Sequence, residues 1–408
     1  MVIELKKLTD AIAKVKSFAQ DIKTVPGILL RFGENQMEVC YSDGHKAIIE
    51  RIEAEVEESE RIGDIVVNYQ VFTDVINNCQ PAGVINCDEL EITVSNNSTL
   101  IIEAVKYVLV GTGDDEEPVK KPVSKFRQEI KYNLPGSDIR YGVLTRMNYD
   151  DIFSADVRDI WNKGELQNTL SRLSKDEAKV CYCSSQLKAA FAVNLNHTVF
   201  IPKEELENCG FSLSAKLAKY IVEILNNLES NEVLVAVEER RYCKMTTPDE
   251  KVGIWFEMNP ASPLDLTTLK SFESKAYAQY QIVFNRYALQ DAVKCAITSD
   301  NTESTSMSFV DSEDGLVVSI VRGRTDSKAK EFAIIAEEYK DNTGKLMDTT
   351  VPISLKAFSS ILDNCSGPYL LVDINDDETG KYLRCKDCIG KENGEPIVDA
   401  IFYMVSAK

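Results

Sequence analysis

Three stretches of the chain share one local pattern, in which a short apolar strand leads into an amphipathic helix that ends in asparagine. Strand-like sequence follows each time. The three helix ends are residues 72–79, 221–228 and 358–365. Neighbouring copies are about 140 residues apart, a common size for one domain. Tandem copies of one module usually build an extended architecture rather than one active site. The pattern therefore directs attention to the shape that the chain makes.

Two stretches rich in charge, glycine or proline divide the chain. They are residues 111–122 and residues 259–266, and such sequences bury little and typically connect domains. The length of 408 residues fits two or three domains. We therefore predict three domains, at residues 1–112, 125–260 and 274–408.

Hydrophobic periodicity indicates an α+β fold. Apolar residues recur at helical spacing in residues 8–19 and 286–297. Short alternating strands with hairpin-length loops follow each of these helices, which predicts antiparallel sheets. Each domain is thus expected to hold two repeats of a helix plus antiparallel strands. The second domain is the least regular, with a helix and an insertion expected in residues 149–164.

The charge balance argues against simple electrostatic wrapping of nucleic acid. The chain carries 65 acidic and 46 basic residues, a net charge of −19, whereas such wrapping requires a basic domain. An acidic exterior with a locally basic inner surface remains compatible with this total, because the distribution of charge matters more than its sum.

Membrane and export signals are not found in the sequence. No apolar run approaches the ~20 residues of a membrane-spanning helix. The N-terminal sequence also lacks the long apolar stretch of a signal peptide. We therefore expect a cytoplasmic protein without a membrane partner.

Signals for catalysis or metal binding are weak. The two histidines, His45 and His197, fall in different predicted domains. A CxxC motif at residues 385–388 and a CxC motif at residues 181–183 are far apart, whereas structural zinc needs four converging ligands. Most of the eleven cysteines fit small buried hydrophobes. Neither glycine-rich nucleotide-binding motif occurs. We predict no catalytic residue, no metal and no cofactor.

Four segments, taken in chain order, resemble the bacterial-type, three-domain DNA polymerase sliding clamp, the processivity factor. Asp43-Gly44-His45-Lys46 is similar to that family's Thr-Asp-Gly-His-Arg turn, and Thr198 to Lys203 to its Val-Ile-Val-Pro-Arg strand. The full segments are residues 36–47, 198–203, 348–358 and 400–408. Family members are somewhat shorter, and the extra length with its cysteine-rich divergence suggests a phage version.

The resemblance implies a mechanical role. Clamps of this type pair head to tail as homodimers and form a ring of six similar domains around double-stranded DNA. Helices line the hole, sheets form the outer wall, and the ring tethers the polymerase without chemistry. Peptides of the polymerase and the clamp loader bind to it. A trimeric ring of two-domain chains is the runner-up, but three helix copies favour three domains.

Basic residues on the inner helices are the expected contacts to DNA phosphates. They share a predicted position opposite, or flanking, a buried helix face. An ordinary solvated helix face would carry the same residues. The candidates are Lys7, Lys14, Lys16, Lys216, Lys219, Arg286, Lys294 and Lys356.

The resemblance places a partner-binding pocket between the second and third domains. Carrying over the family's positions gives Leu187, Lys188 and Ala189 near one strand turn, and Phe402 and Met404 on the last strand. The sequence departs from the family at the first site, where Gln-Leu-Lys-Ala replaces Gly-His-Arg-Leu. Phe402 and Met404 also fit plain strand core.

Two other classes of protein remain open from the sequence. One is a β-rich repeat module, for binding or for a virion, without a DNA role; it predicts no basic helix faces. The other is a redox or zinc protein that uses Cys385 and Cys388.

Overall fold

A computed structural model describes most of the chain. The described residues are 1–19, 27–55, 63–79, 89–95, 97–110, 119–175, 179–194, 197–203, 206–260, 262–275, 277, 279–297, 305–322, 330–377, 380–392 and 395–405. The side chains of residues 105–110, 119–125, 263, 322, 330 and 377 are outside the description.

The described residues form helices and strands in frequent alternation. The helices are α1 Leu5–Ala19, α2 Tyr69–Asn78, α3 Gly142–Arg146, α4 Lys163–Leu173, α5 Ala215–Asn226, α6 Pro263–Glu273, α7 Arg286–Ala296 and α8 Leu355–Asn364. Short 3-10 turns lie at Ile139–Tyr141, Tyr149–Phe153 and Leu346–Asp348. None of these helices is both long enough and apolar enough to cross a membrane.

The strands are mostly short, and every pairing between them is antiparallel. They are β1 Val2–Glu4, β2 Gly27–Phe32, β3 Gln36–Ser42, β4 Lys46–Glu53, β5 Ile65–Asn68, β6 Glu89–Ser95, β7 Thr99–Val110, β8 Val119–Asn133, β9 Asp159–Asn162, β10 Val180–Ser184, β11 Ala189–Val193, β12 Thr198–Pro202, β13 Phe211–Ser214, β14 Glu232–Glu238, β15 Tyr242–Thr246, β16 Val252–Glu257, β17 Tyr280–Asn285, β18 Thr305–Ser312, β19 Gly315–Arg322, β20 Lys330–Ile335, β21 Glu338–Asp341, β22 Thr350–Pro352, β23 Tyr369–Asp377, β24 Gly380–Glu392 and β25 Glu395–Val405. The α+β prediction is confirmed.

The chain forms two compact units. The first unit contains residues 1–167 and 220–258, and the second contains residues 168–219 and 259–408. Each unit therefore combines sequence from more than one predicted domain, and the three-domain division stays a prediction.

The first unit is built on one twelve-stranded sheet. Its strand order is β1-β6-β7-β8-β5-β2-β3-β4-β16-β15-β14-β9. The sheet joins early and late sequence through the β4–β16 pair, in which Glu50 lies opposite Val252 and Ile48 opposite Ile254. Helix α1 and residues 139–153 both pack on the centre of this sheet, which is why nearly every residue of β3 is buried.

The second unit contains a nine-stranded sheet and a four-stranded sheet. Their orders are β13-β10-β11-β12-β25-β24-β23-β17-β21 and β20-β19-β18-β22. The larger sheet is continuous through the β12–β25 pair, where Val199 lies opposite Phe402. Helices α7 and α8 pack against each other, and α7 also packs on strands of both sheets.

The predicted repeat has a physical basis at both helix ends. A polar side chain caps the start: Asn68 accepts from the backbone N–H of Val71, and Ser354 does the same for Ala357. At the end of α2, the Cys79 thiol donates to the carbonyl of Val75. The Cys365 thiol makes the matching bond after α8. Two copies of the module thus close their helices with the same chemistry.

The structure corrects three local expectations. Residues 119–122 are not a connector, because they lie in β8 and pair with the end of β7; residues 111–118 lie outside the described residues. Residues 263–266 begin α6 rather than a linker. Residues 149–164 contain a 3-10 turn, β9 and the start of α4 instead of one interrupted helix.

Candidate functional site

Helix α1 separates its lysines into exposed and buried positions. Its apolar face, which includes Leu8, Ile12 and Val15, is buried against β3, β4 and α2. Lys7 and Lys16 lie on the exposed side of the helix.

Lys14 contradicts the prediction of a DNA-facing side chain. It is 6% exposed, and its ammonium lies 2.5 Å from Oε1 of Glu50 on β4. The reason is its position, three residues after buried Ala11 and four before buried Phe18, which places it on the core face of a 3.6-residue helix. The sequence contained this signal.

The exposed Lys7 is engaged within its own unit. Its ammonium lies 3.2 Å from Glu53 Oε2 and 3.5 Å from Glu4 Oε2. The hydrogen bond to Glu53 raises the pKa of Lys7, and the same bond lowers the pKa of Glu53. Lys7 therefore remains a cation, but one that a phosphate would share with two carboxylates.

The other predicted cations occupy four positions on exposed helix faces and one half-buried position. Lys216 and Lys219 on α5, Lys294 on α7 and Lys356 on α8 are exposed. Arg286 is half-buried; its guanidinium lies 4.3 Å from the centroid of the Tyr287 ring and donates to the carbonyl of Leu362 at the end of α8. This contact holds α7 against α8, so Arg286 is a structural residue here.

Not every described helix offers a cation. Helix α2 contains no basic residue. On α4, Lys163 donates to the carbonyl of Leu228, and Arg172 is buried in an ion pair. The predicted cations that are exposed lie on α1, α5, α7 and α8, and α3 and α6 also carry one exposed basic residue each, Arg146 and Lys270.

The predicted partner residues are divided between two faces of the nine-stranded sheet. Ala189, Phe402 and Met404 are at most 1% exposed, whereas Lys188 is exposed in the β10–β11 turn with φ of 46°. Because side chains alternate along a strand, Phe402 and Met404 lie on the opposite face from Ile401 and Tyr403. The expectation that Phe402 and Met404 line a pocket is therefore wrong; they are core residues.

An aromatic cluster occupies the other face. Its members are apolar and aromatic side chains from β10, β11, α6, the segment after α6, and β25. The buried residues of the cluster are Tyr182, Phe191, Leu269, Phe272, Tyr277 and Tyr403, with Leu187, Phe200, Leu266, Tyr382 and Ile401 packed around them. The rings of Tyr182 and Phe191 are stacked at 4.7 Å, and those of Phe272 and Tyr403 at 5.6 Å. Of the predicted partner residues, only Leu187 belongs to it.

Helix α6 covers this cluster and is fixed by polar contacts. The hydroxyl of Tyr182 donates to Asp265 at 2.8 Å and accepts from the backbone N–H of Ser262 at 3.2 Å. Burial raises the pKa of Tyr182 to about 12, so the hydroxyl keeps its proton at neutral pH. Sequence reasoning missed α6, although Ser262 as N-cap, Pro263 at the first position and Asp265 in the first turn are a helix start.

The residues of the enzyme alternatives are dispersed or buried. The side chain of His45 is 81% exposed beside Glu257, and His197 is buried with its ring 5.9 Å from Phe402. Burial raises the pKa of the Cys385 and Cys388 thiols, which opposes the thiolate form that redox or metal chemistry needs. Within the described residues, no three histidine, cysteine or acidic side chains converge on a metal position.

Comparison with known proteins gives a clear result for the fold alone. No protein-family model and no curated protein sequence matches the chain. Solved structures match along its full length. The DNA polymerase III beta subunit of Thermotoga maritima gives a TM-score of 0.69 at 14% identity, covering 100% of this chain and 99% of that one.

Two further solved structures agree. The DNA polymerase sliding clamp of Pseudomonas aeruginosa gives a TM-score of 0.71 at 12% identity, covering 100% of this chain and 99% of that chain. The sliding clamp of Bacillus subtilis gives 0.68 at 12% identity, covering 100% and 98%. The chain therefore has the sliding-clamp fold from end to end.

Proposed function

We propose that the chain is a DNA sliding clamp, a ring that encircles duplex DNA and tethers the replicative DNA polymerase. The observation that carries the proposal is the full-length structural match to solved clamps, with 98–99% of each of those chains covered. The proposed ring is a head-to-tail homodimer.

The charge distribution supports encirclement better than adhesion. A net charge of −19 disfavours loose adsorption to DNA. A closed ring is retained by topology, so a few mobile phosphate contacts are sufficient and strong ones would slow sliding. The exposed lysines proposed for this role are Lys7, Lys16, Lys216, Lys219, Lys294 and Lys356.

The proposed role requires no chemistry from the chain. We assign no catalytic residue and no cofactor, and we place the protein with replicating DNA in the cytoplasm. The alternative of a cysteine-based redox or zinc protein has no support from the buried thiols described above.

The partner surface is proposed at the aromatic cluster under α6. Peptides of the polymerase and the clamp loader would insert apolar side chains beside Leu187, Phe191 and Tyr403, in competition with Leu269 and Phe272 of α6. Grooves that accept apolar anchors are the usual mode for such peptides. Tyr182→Phe tests this, because it removes the hydroxyl that joins Asp265 and Ser262 while keeping the ring. In this variant we expect the backbone amide hydrogens of α6 to exchange with solvent about tenfold faster. We also expect the polymerase to bind the variant more tightly. Faster exchange with an unchanged affinity for the polymerase would contradict the proposed site.

The ring is tested without a clamp loader. Purified protein is mixed with linear duplex DNA that carries biotin at both ends, and streptavidin is added afterwards to block the ends. We expect protein to remain on the blocked DNA in high salt and to be released when a restriction enzyme cuts the DNA. DNA that is never blocked is the control.

Solution mass is measured in parallel over a concentration series. A mass of twice 45.7 kDa agrees with a two-chain ring. Retention that survives cutting of the DNA, or no retention by a stable dimer, argues for a binding module without a DNA-encircling role.

A further inference from the structure

Two cations of β24 lie at the border of the aromatic cluster in the second unit. The β24–β25 register places Arg384 opposite Tyr403. It places Lys386 opposite Ile401 in the same way, and paired residues of antiparallel strands share one face of the sheet. Tyr403 and Ile401 both belong to the cluster. The side chains of Arg384 and Lys386 are 26% and 19% exposed, so a molecule bound on this face can reach both of them.

The two cations share one buried carboxylate. Asp373 on β23 is 0% exposed, and its Oδ2 accepts from Arg384 at 2.7 Å and from Lys386 at 2.9 Å. Its Oδ1 accepts from the side-chain amide of Gln281 at 3.0 Å. A buried carboxylate needs a compensating charge, and one cation balances it. The second positive charge is therefore in excess.

The other charged residues around the cluster do not reverse this excess. Glu273 at the end of α6 is close to Lys270 of the same helix, whose charge lowers the pKa of Glu273 against the larger effect of burial. Asp265 is in the first turn, at the opposite end of α6. Lys275 adds a further positive charge, because its ammonium lies 4.2 Å from the centroid of the Tyr382 ring. The border along β24 is thus locally positive in a chain with a net charge of −19.

These two cations have donors left for a carboxylate. Arg384 uses Nε and Nη2 on Asp373, and within the described part of the chain its Nη1 is bonded to no acceptor. The guanidinium lies 4.5 Å from the centroid of the Tyr277 ring, which fixes its position. Lys386 has three N–H donors and uses one on Asp373. One carboxylate beside Tyr403 can therefore accept from both cations, and such charge-assisted bonds are strong.

We propose that the partner peptide bound at the aromatic cluster carries an acidic side chain next to its apolar anchors, and that Arg384 and Lys386 bind its carboxylate. The inference rests on the partner surface proposed above and names the charge of the peptide that fits it. The apolar anchors supply most of the affinity, and the acid selects among peptides that have similar anchors.

The test is fluorescence anisotropy with two labelled peptides, Gly-Asp-Leu-Ala-Phe-Asp-Gly and Gly-Asn-Leu-Ala-Phe-Asn-Gly. They have the same apolar anchors and nearly the same shape, and they differ in charge. Binding is measured for the intact protein and for Tyr182→Phe, in which we expect a looser α6. Lys386→Gln removes one cation, and Asp373→Asn removes the acid that competes with the peptide. Lys345→Gln, at an exposed cation of the same unit, is the control for general attraction.

We expect the original protein to bind the acidic peptide about fivefold more tightly than the amide peptide. Lys386→Gln should reduce this difference to about twofold or less, because one of the two donors is lost. Asp373→Asn should increase it to about tenfold, since both cations are then available to the peptide. Lys345→Gln should leave the difference unchanged, and added salt should decrease it in the original protein.

Equal binding of the two peptides, or an equal loss in Lys345→Gln and Lys386→Gln, overturns the acidic preference and leaves the cluster as an apolar partner surface. Binding of neither peptide, in either host protein, overturns the partner surface together with this inference. The clamp function is measured separately, by retention on end-blocked DNA. If Asp373→Asn fails to fold, Lys386→Gln decides, because Arg384 still balances the charge of Asp373 in that variant.

Discussion

Each unit buries an ion pair, and the two pairs differ in how completely their oxygens are used. In the second unit, Asp387 is fully buried and pairs with Arg172 at 3.1 Å. Both oxygens of Asp387 are also bonded to neighbours: one accepts from the backbone N–H of Gly367, and the other from the N–H and hydroxyl of Ser366. In the first unit, Glu50 pairs with Lys14 but leaves one oxygen unbonded beside a cavity.

The difference shows that the cost of a buried carboxylate depends on whether both of its oxygens accept hydrogen bonds. Both oxygens of the Asp387 carboxylate accept hydrogen bonds, and the carboxylate fixes α4 to the loop before β23 and to β24. A carboxylate with an unused buried oxygen keeps a local desolvation cost. We therefore interpret the Arg172–Asp387 pair as a well-bonded structural contact and the Lys14–Glu50 pair as a structural contact that retains this cost.

The largest effect is expected for Asp387→Ala. It leaves Arg172 buried and removes the acceptor of three neighbouring donors, which should lower the free energy of unfolding by about 3–5 kcal/mol. Urea denaturation measures this. Asp399→Ala is the comparison, because Asp399 also binds Arg172 but its side chain is 30% exposed. Asp399→Ala should lower the free energy of unfolding by only about 1 kcal/mol. Equal losses in the two variants would contradict the difference between a buried and a partly exposed partner of Arg172.

Lys14→Met should have the next largest effect and lower the free energy of unfolding by about 2–3 kcal/mol at neutral pH. The loss is limited because Glu50 can take up a proton and become neutral. The pKa of Glu50 is already raised above its ordinary 4.5, and loss of Lys14 raises it further. The native state then binds that proton more readily than the unfolded state, so the stability of the variant falls as pH rises through this range.

The gap between Lys14→Met and the original protein should therefore narrow on acidification towards pH 4.5. Urea denaturation at several pH values measures the gap. In Lys14→Met/Glu50→Leu most of the stability should be recovered, since no unpaired charge stays buried. A gap that is independent of pH would mean that Glu50 does not protonate in the variant.

Gly367→Ala tests how tightly the Asp387 network is built. An added Cβ would lie 2.1 Å from the carbonyl oxygen of Cys388 and 2.8 Å from Oδ1 of Asp387. We expect a decrease of about 1–3 kcal/mol in the free energy of unfolding. Gly63→Ala in the first unit is the matched control, because nothing lies within 4 Å of its added Cβ. A change of similar size in both variants would indicate a general glycine effect.

The smallest effect on stability is expected for Lys16→Ala, within about 0.5 kcal/mol, because Lys16 is exposed on α1 whereas Lys14 is buried. Its effect should instead be on DNA. A plot of the logarithm of the DNA-binding constant against the logarithm of the salt concentration should have a slope that is smaller in magnitude by about one. The reason is that one lysine no longer neutralises a phosphate. Equilibrium binding to linear DNA with free ends at several salt concentrations measures this, because the protein can leave such DNA. An unchanged slope would remove Lys16 from the DNA-facing set.

Local features of the fold were predictable because local sequence determines them. Helical spacing gave α1 and α7, and the recurring Asn-Cys helix end of α2 and α8 was visible in the sequence. Helix α6 was missed because two prolines were interpreted as a linker, although Pro263 occupies the first helical turn, where proline is tolerated.

Features that depend on distant partners were not predictable. The spacing of Lys14 from Ala11 and Phe18 placed it on the core face of α1. The burial of its charged ammonium, however, depends on Glu50, which lies on another element. The face on which Phe402 lies depends on strand register, and a shift of one residue would reverse it. Nothing local to Tyr182 or Tyr403 indicates that α6 covers them.

The β4–β16 pair has a consequence for how the protein is made. Strand β4 is complete early in synthesis, but its partner, from Val252 to Phe256, leaves the ribosome only after most of the chain. Until then β4, which contains Ile48 and Ile49, has one edge without a partner strand. Such an edge can pair with strands of other chains. Such distant pairing also slows folding. Nascent chains of this protein should therefore depend on chaperones, and truncations that end before residue 252 should aggregate.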